Sequence, residues 1–195
     1  MVKVDPEQRR ADVVEAVWRV VRRDGLAAAS VRNVAQEAGL SMGSLRHYFA
    51  SQAELLSFTL RAVIERIEAR IAALPSEPDP RRRAERVLLE LLPLDPERAA
   101  ENEVWLAFTA RAQVDPELRA VHNQGYDVLR GGCRRLVEGL AGQVADLDVE
   151  LETDRLHALL DGLAVHIAMR PDALTPDRAR LVVARHLDEL TRYAR

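Results

Sequence analysis

The chain has 195 residues, a formal charge of −3, and 48% hydrophobic against 30% charged residues, enough for a sizeable core beneath a soluble surface. No apolar run approaches the roughly 18 residues that span a bilayer, and the start MVKVDPEQRRADVV reaches charge at once, so neither a membrane span nor a secretion signal is expected. The lone cysteine, Cys133, cannot form an internal disulfide and points to a reducing, cytoplasmic setting. The charge is unevenly spread. Residues 1–50 carry +2 and the remainder −5, a basic head on an acidic body.

Helix starts recur along the chain in one form. Asp5-Pro6, Asp79-Pro80, Asp95-Pro96, Asp115-Pro116 and Thr175-Pro176 each place a capping oxygen ahead of a proline. Proline is tolerated at the first helical position because its missing N–H would go unpaired there, and the preceding side chain accepts from the first turn. Ser30, Ser41, Ser51 (a capping box with Glu54) and Thr153 mark further starts. Apolar spacing agrees: Val13, Val17, Val20 and Val21 share one face, as do Leu56, Leu60, Val63, Ile64, Ile67 and Ile71, and Leu156, Leu159, Leu160, Leu163 and Ile167. The expected helices span 6–24, 31–38, 42–48, 52–74, 80–92, 96–114, 116–141, 153–169 and 176–193. No convincing strand pattern appears, so the fold class is all-α. PSEPDP (75–80) reads as a linker and GQVADLDVELET (142–153) as a mobile loop. The run Arg81-Arg82-Arg83, just after a helix start, reads as a solvated face.

The three short helices at the start have the anatomy of a helix-turn-helix. Gly39 can take the left-handed conformation that closes a helix, Leu40 plugs the space between helices, and Ser41 caps the next one. The N-terminal residues of that helix would lie at base edges in a major groove. Gly43 lets the backbone come close to DNA, Ser44 can bond a base or a phosphate, Arg46 can pair with guanine or a phosphate, and Tyr48 can donate to a phosphate. Leu45 and Phe49 face inward.

The stretch GLAAASVRNVAQEAGLSMGSLRHYFASQAELL (25–56) resembles the DNA-binding signature of TetR-type transcriptional regulators. DPELRAV (115–121) resembles the C-terminal domain of the BetI-like branch. The resemblance implies an N-terminal three-helix DNA-binding domain, 1–52, and a helical effector-binding and dimerisation domain, 53–195. Candidate DNA contacts are Ser30, Val31, Arg32, Ser41, Met42, Gly43, Ser44, Arg46, His47, Tyr48 and Gln52. Two positions depart from the family pattern: Arg46 stands where an aromatic phosphate contact is usual, and Gln52 where a lysine is usual.

The resemblance further implies a homodimer whose last two helices form the interface, with Leu156, Leu159, Leu163, Ile167, Val183, Leu187 and Leu190 as candidates. It also implies a small-molecule effector. Candidate lining residues are Trp105, Phe108, Gln113, His122, Tyr126, Cys133, Asp161 and His166. Acidic Glu101, Glu103 and Asp161 beside aromatics would suit a cationic, partly apolar ligand. The histidines lack metal-ligand spacing, no catalytic motif is present, and neither a metal, a cofactor nor an enzymatic activity is expected. The functional expectation is a repressor released from a pseudo-palindromic operator by its effector. The alternative is a helical ligand-binding protein with a decayed DNA-binding head, for which Gln52 is the sole support.

Overall fold

A computed structural model describes residues 6–25, 28–141 and 147–192. Among the described residues there are nine helices and no strand: α1 (Pro6–Asp24), α2 (Val31–Glu37), α3 (Met42–Tyr48), α4 (Gln52–Ala72), α5 (Pro80–Glu90), α6 (Pro96–Ala112), α7 (Pro116–Ala141), α8 (Val149–Met169) and α9 (Pro176–Arg192).

The caps explain most of these boundaries. Asp79 accepts from the Arg81 and Arg82 amides, Asp95 from Arg98, Asp115 from Glu117 and Leu118, and Thr175 from Arg178. Asp5 and Tyr193 lie outside the described residues. At α4, Ser51 accepts from the Glu54 amide at 3.0 Å, and the Glu54 carboxylate accepts from the Ala50 amide at 2.7 Å, one residue before Ser51. Helices α4, α5 and α6 each end two residues short of expectation. Leu74, Leu91 and Val114 donate to the carbonyl three residues back, so each terminus tightens into a 3₁₀ turn.

Helix α8 begins earlier than expected. Its cap is Asp148, which accepts from the Leu151 amide at 3.0 Å, and Glu150 and Glu152 fill the first turn, where negative charge suits the helix dipole. Thr153 is fully buried inside α8, and among the described residues its hydroxyl has no hydrogen-bond partner. The expected loop is thereby shortened; its residues 142–146 lie outside the described residues.

The chain divides into two compact units. Unit 1 runs through Glu65 and adds Glu103–His122; unit 2 comprises Arg66–Asn102 and Asn123–Arg195. In unit 1, α1 packs on α2 and α2 on α3. Val13, Val17, Val20, Val21, Val34 and Leu45 are buried, and Leu56 and Leu60 pack with Phe108, Ala112 and Leu118. Unit 2 has its own core, in which Leu88, Val137, Leu140, Leu156, Leu160, Val183 and Leu187 come together from α5, α7, α8 and α9, with Leu92 from just beyond α5.

Arginines tie unit 2 together. Arg70 on α4 holds both oxygens of buried Glu101 at 2.6 Å and reaches Glu90 at 3.3 Å. Arg81 departs from the solvated-face expectation: it bonds Asp188 at 2.9 Å and the Ala184 carbonyl, fastening α5 to α9. Arg82 stays exposed, and Arg83 folds back onto the Glu77 carbonyl.

Candidate nucleic-acid interface and effector site

Helix α3 is held by its ends and by one buried side chain. Gly39 takes φ +66°, a region that side chains rarely adopt, and the Leu40 amide bonds back to the Ala35 carbonyl at 2.8 Å. Ser41 then caps α3 by accepting from the Ser44 amide at 3.0 Å, and the two hydroxyls bond each other at 3.0 Å. Leu45 is fully buried, and Phe49 packs on Phe58 with ring centroids 5.4 Å apart.

The rest of α3 faces outward. Met42, Gly43, Ser44, Arg46 and His47 are exposed, and half-buried Tyr48 meets the edge of His47 at 5.5 Å. A Cβ built on Gly43 would meet only the Ser41 hydroxyl, at 3.8 Å. Of the other candidate DNA contacts, Arg32 and Gln52 are exposed and Ser30 and Val31 partly exposed. Ser30 caps α2 through the Asn33 amide, and Asn33 donates its side chain to the Ala28 carbonyl at 2.9 Å. The angle of α2 is fixed by an ion-pair clasp, Arg19 and Arg23 of α1 on Glu37 at 2.8 and 2.9 Å. Hydrogen bonds from Arg19, then Arg23, lower the Glu37 pKa below the ordinary carboxylate value.

The eight effector-site candidates fall into two groups, four in each unit. In unit 1, Trp105 stacks on His122 at 4.9 Å, and His122 Nε2 meets the Thr109 hydroxyl at 3.1 Å. Phe108 is core, and Gln113 is exposed. In unit 2, Tyr126 is 41% exposed and lies against His157, ring centroids 4.6 Å apart. Asp161 Oδ2 is 3.7 Å from His157 Nε2. Cys133 is buried, and burial followed by the charge of Asp161 pushes its thiol up to about 12, so it stays protonated. His166 is exposed on the last turn of α8. Glu101 is no free anion for a ligand, because Arg70 occupies both its oxygens.

Two family models match this chain: bacterial regulatory proteins of the tetR family over residues 13–58, and the C-terminal domain of BetI-type transcriptional repressors over residues 80–192. The chain belongs to the TetR family. The PksA transcriptional regulator of Bacillus subtilis is 39% identical over 194 residues, covering 96% of this chain and 92% of the relative. A solved transcriptional regulator from Rhodococcus sp. Rha1 superposes with a TM-score of 0.82 at 28% identity, covering 97% of each chain. The multidrug binding protein EbrR, solved with ethidium, superposes with a TM-score of 0.67 at 29% identity, covering 91% of this chain and 98% of that one.

This TetR-family chain is a helix-turn-helix transcriptional regulator, and regulators of its family bind operator DNA as dimers and take small-molecule effectors. The described part of it has no helix long and apolar enough to cross a membrane. Against that background two placements differ from the sequence reading. Leu156, Leu163, Ile167, Val183, Leu187 and Leu190 are buried within their own chain, turned to the core of unit 2, and Leu159 is only partly buried. The large apolar side chains that α8 and α9 leave exposed are Leu151, Val165, Met169 and Leu181. Leu159, Leu181 and Val182 line a groove there, bordered by Arg178, Arg185, His186 and Glu189. The second difference is His157, which sequence reasoning considered only as a metal ligand. Its four-residue spacing to Asp161 on an apolar helix was the available signal.

Proposed function

We propose that this TetR-family protein is a homodimeric repressor that leaves a pseudo-palindromic operator when a cationic, partly apolar effector binds. Residues 1–52 form the DNA-binding domain in this reading, and residues 53–195 the effector-binding and dimerisation domain. The observation that carries it is the division of labour on α3: Leu45 alone of its side chains is buried, while Met42, Ser44, Arg46 and His47 are committed to no core. Met42 and Ser44 then face base edges, Arg46 a base or phosphate, and Tyr48, His47, Gln52, Arg32 and Ser30 the backbone.

Dimerisation uses the outer face of α8 and α9, where Leu159, Val165, Met169, Leu181 and Val182 offer apolar area to the same face of a second copy. Two-fold symmetry presents the two α3 helices about one DNA turn apart, roughly 34 Å. The cationic class of effector is supported by carboxylate and aromatic groups in unit 2, Asp161 and Tyr126 each beside His157, and by likeness to EbrR, whose bound ethidium is a cation with a large apolar body. Release is then a population shift: an effector that prefers a dimer with a different spacing of its α3 helices lowers operator affinity by its differential affinity alone.

The test is selection of binding sites from random DNA, then fluorescence anisotropy on the selected duplex and a scrambled one at physiological salt. The reading expects a palindromic site and a preference of about a thousandfold or more. Failure to enrich any site, with equal weak binding to both duplexes, would leave the decayed-head alternative.

A further inference from the structure

We propose that two copies of this chain pair their α9 helices antiparallel in a single register, with Arg178 of each copy on Glu189 of the other and Leu181 of each over His186 of the other. The proposal rests on the dimer reading above and adds to it the direction and the register of the contact.

Helix α9 has two sides. Ala179, Val183, Leu187 and Leu190 are buried in the core of unit 2. On the other side Arg178, Leu181 and Arg185 are exposed, and Val182 and Glu189 are half-buried. With His186 and with Leu159 of α8 they line one groove. Arg178 engages only its backbone amide, which donates to the Thr175 hydroxyl; among the described residues its guanidinium has no partner. Glu189 holds Arg185 at 2.6 Å, yet its side chain is 43% exposed. A carboxylate accepts from more than one arginine, as Glu37 does from Arg19 and Arg23. His186 is nine-tenths buried, and burial, followed by the charge of Arg155, holds its pKa below the ordinary imidazole value. It is uncharged at neutral pH and can lie beneath an apolar side chain.

A contact between identical surfaces about a two-fold axis obeys a strict rule: where residue i meets residue j, j also meets i. Let the axis cross α9 between Val183 and Ala184, close to its middle. The helix ends then match, Pro176 facing Thr191, and the groove residues fall into three pairs. Arg178 faces Glu189, Leu181 faces His186, and Val182 faces Arg185, whose aliphatic stem can cover it. Each pair is compatible, and the charged pair occurs twice, about 16 Å apart along the helix at 1.5 Å per residue. Other arrangements lose this match. A slip of one turn sets Arg178 against Arg185, and parallel helices set each charge against its own copy, with their dipoles aligned instead of opposed.

The test is a charge exchange followed by sedimentation equilibrium on the full chain. Arg178→Glu and Glu189→Arg should each dimerise about tenfold or more weakly than the wild type, because both ion pairs become like-charge contacts. An equimolar mixture of the two should regain the dimer, since in the mixed pair every charge meets its opposite. The double variant, Arg178→Glu with Glu189→Arg, should dimerise as the wild type does, and it decides the matter should either single variant fail to melt cooperatively. Single variants that dimerise like the wild type, a mixture no tighter than its components, or a folded double variant that stays monomeric would each overturn the register. They would leave the α8–α9 face in place as the interface, since Leu181→Asp tests that face without reference to register. A wild type that is monomeric at high micromolar concentration would overturn both.

Discussion

A glycine inside a helix costs about 1 kcal/mol relative to alanine, so one that no neighbour requires has another reason to be there. Gly43 is such a residue: its backbone is helical, and an added Cβ would meet nothing nearer than the Ser41 hydroxyl at 3.8 Å. Gly39, by contrast, is needed for its φ of +66°. The two glycines therefore answer opposite experiments. Gly43→Ala should leave the melting temperature unchanged or raise it, while operator affinity drops at least tenfold because a methyl group stands between the helix backbone and the DNA. Thermal melts and anisotropy on the same preparation check both halves, and full affinity in Gly43→Ala would remove the close approach from the account. Glu37 makes a second prediction at this scale. Arg19 and Arg23 lower its folded pKa beneath the unfolded value of 4.5, so its stabilising effect is present above that pH and is lost as pH falls through the folded value. Melts between about pH 6 and pH 3 should therefore show a steeper loss in the wild type than in Glu37→Gln. Parallel curves would mean that the clasp contributes nothing, as many exposed ion pairs do.

At the scale of the element, starts were legible where a capping side chain stood ahead of a proline. Four proline-led starts lie where their Asp or Thr placed them, because a capping oxygen and a proline ring act within one turn and need no tertiary help. Thr153 misled because it precedes an apolar run and has the right chemistry, yet Asp148 does the same job five residues earlier with two glutamates behind it. Local pattern cannot choose between two competent caps; burial of Thr153 inside unit 2 decides it. The consequence is measurable. Asp148→Ala should cost about 1 kcal/mol, as loss of an N-cap does. Thr153→Val should be neutral or stabilising, since it replaces an unmatched buried hydroxyl by a methyl of the same shape. A cost near 1 kcal/mol for Thr153→Val, with none for Asp148→Ala, would restore the later helix start.

For the whole molecule the question is which apolar face of α8 and α9 meets a second copy. Periodicity marks apolar residues without saying what covers them, and both helices are apolar on more than one side. The stripe with the cleanest spacing, Leu156 to Ile167 with Val183, Leu187 and Leu190, turned out to be filled by α5 and α7 of its own chain. His157 was missed for the same reason: its meaning lies in what α7 brings to it. What remains for a partner is the opposite side, where Met169 is 65% and Leu181 62% exposed. Since Leu181 contributes little to its own core, Leu181→Asp should leave the melting of the protomer nearly intact, within about 0.5 kcal/mol. In a dimer the two copies of that carboxylate would be forced into an apolar interface near the two-fold axis, where their desolvation and mutual repulsion oppose association. Sedimentation should then report a mass near 21.8 kDa, that of one chain, where the proposed dimer predicts twice as much for the wild type. Operator affinity should fall to that of a single half-site, because one α3 can no longer hold the other in register on the duplex. A Leu181→Asp protein that still sediments as a dimer would move the interface away from this face, and one that is monomeric yet binds the full operator as before would detach DNA recognition from dimerisation.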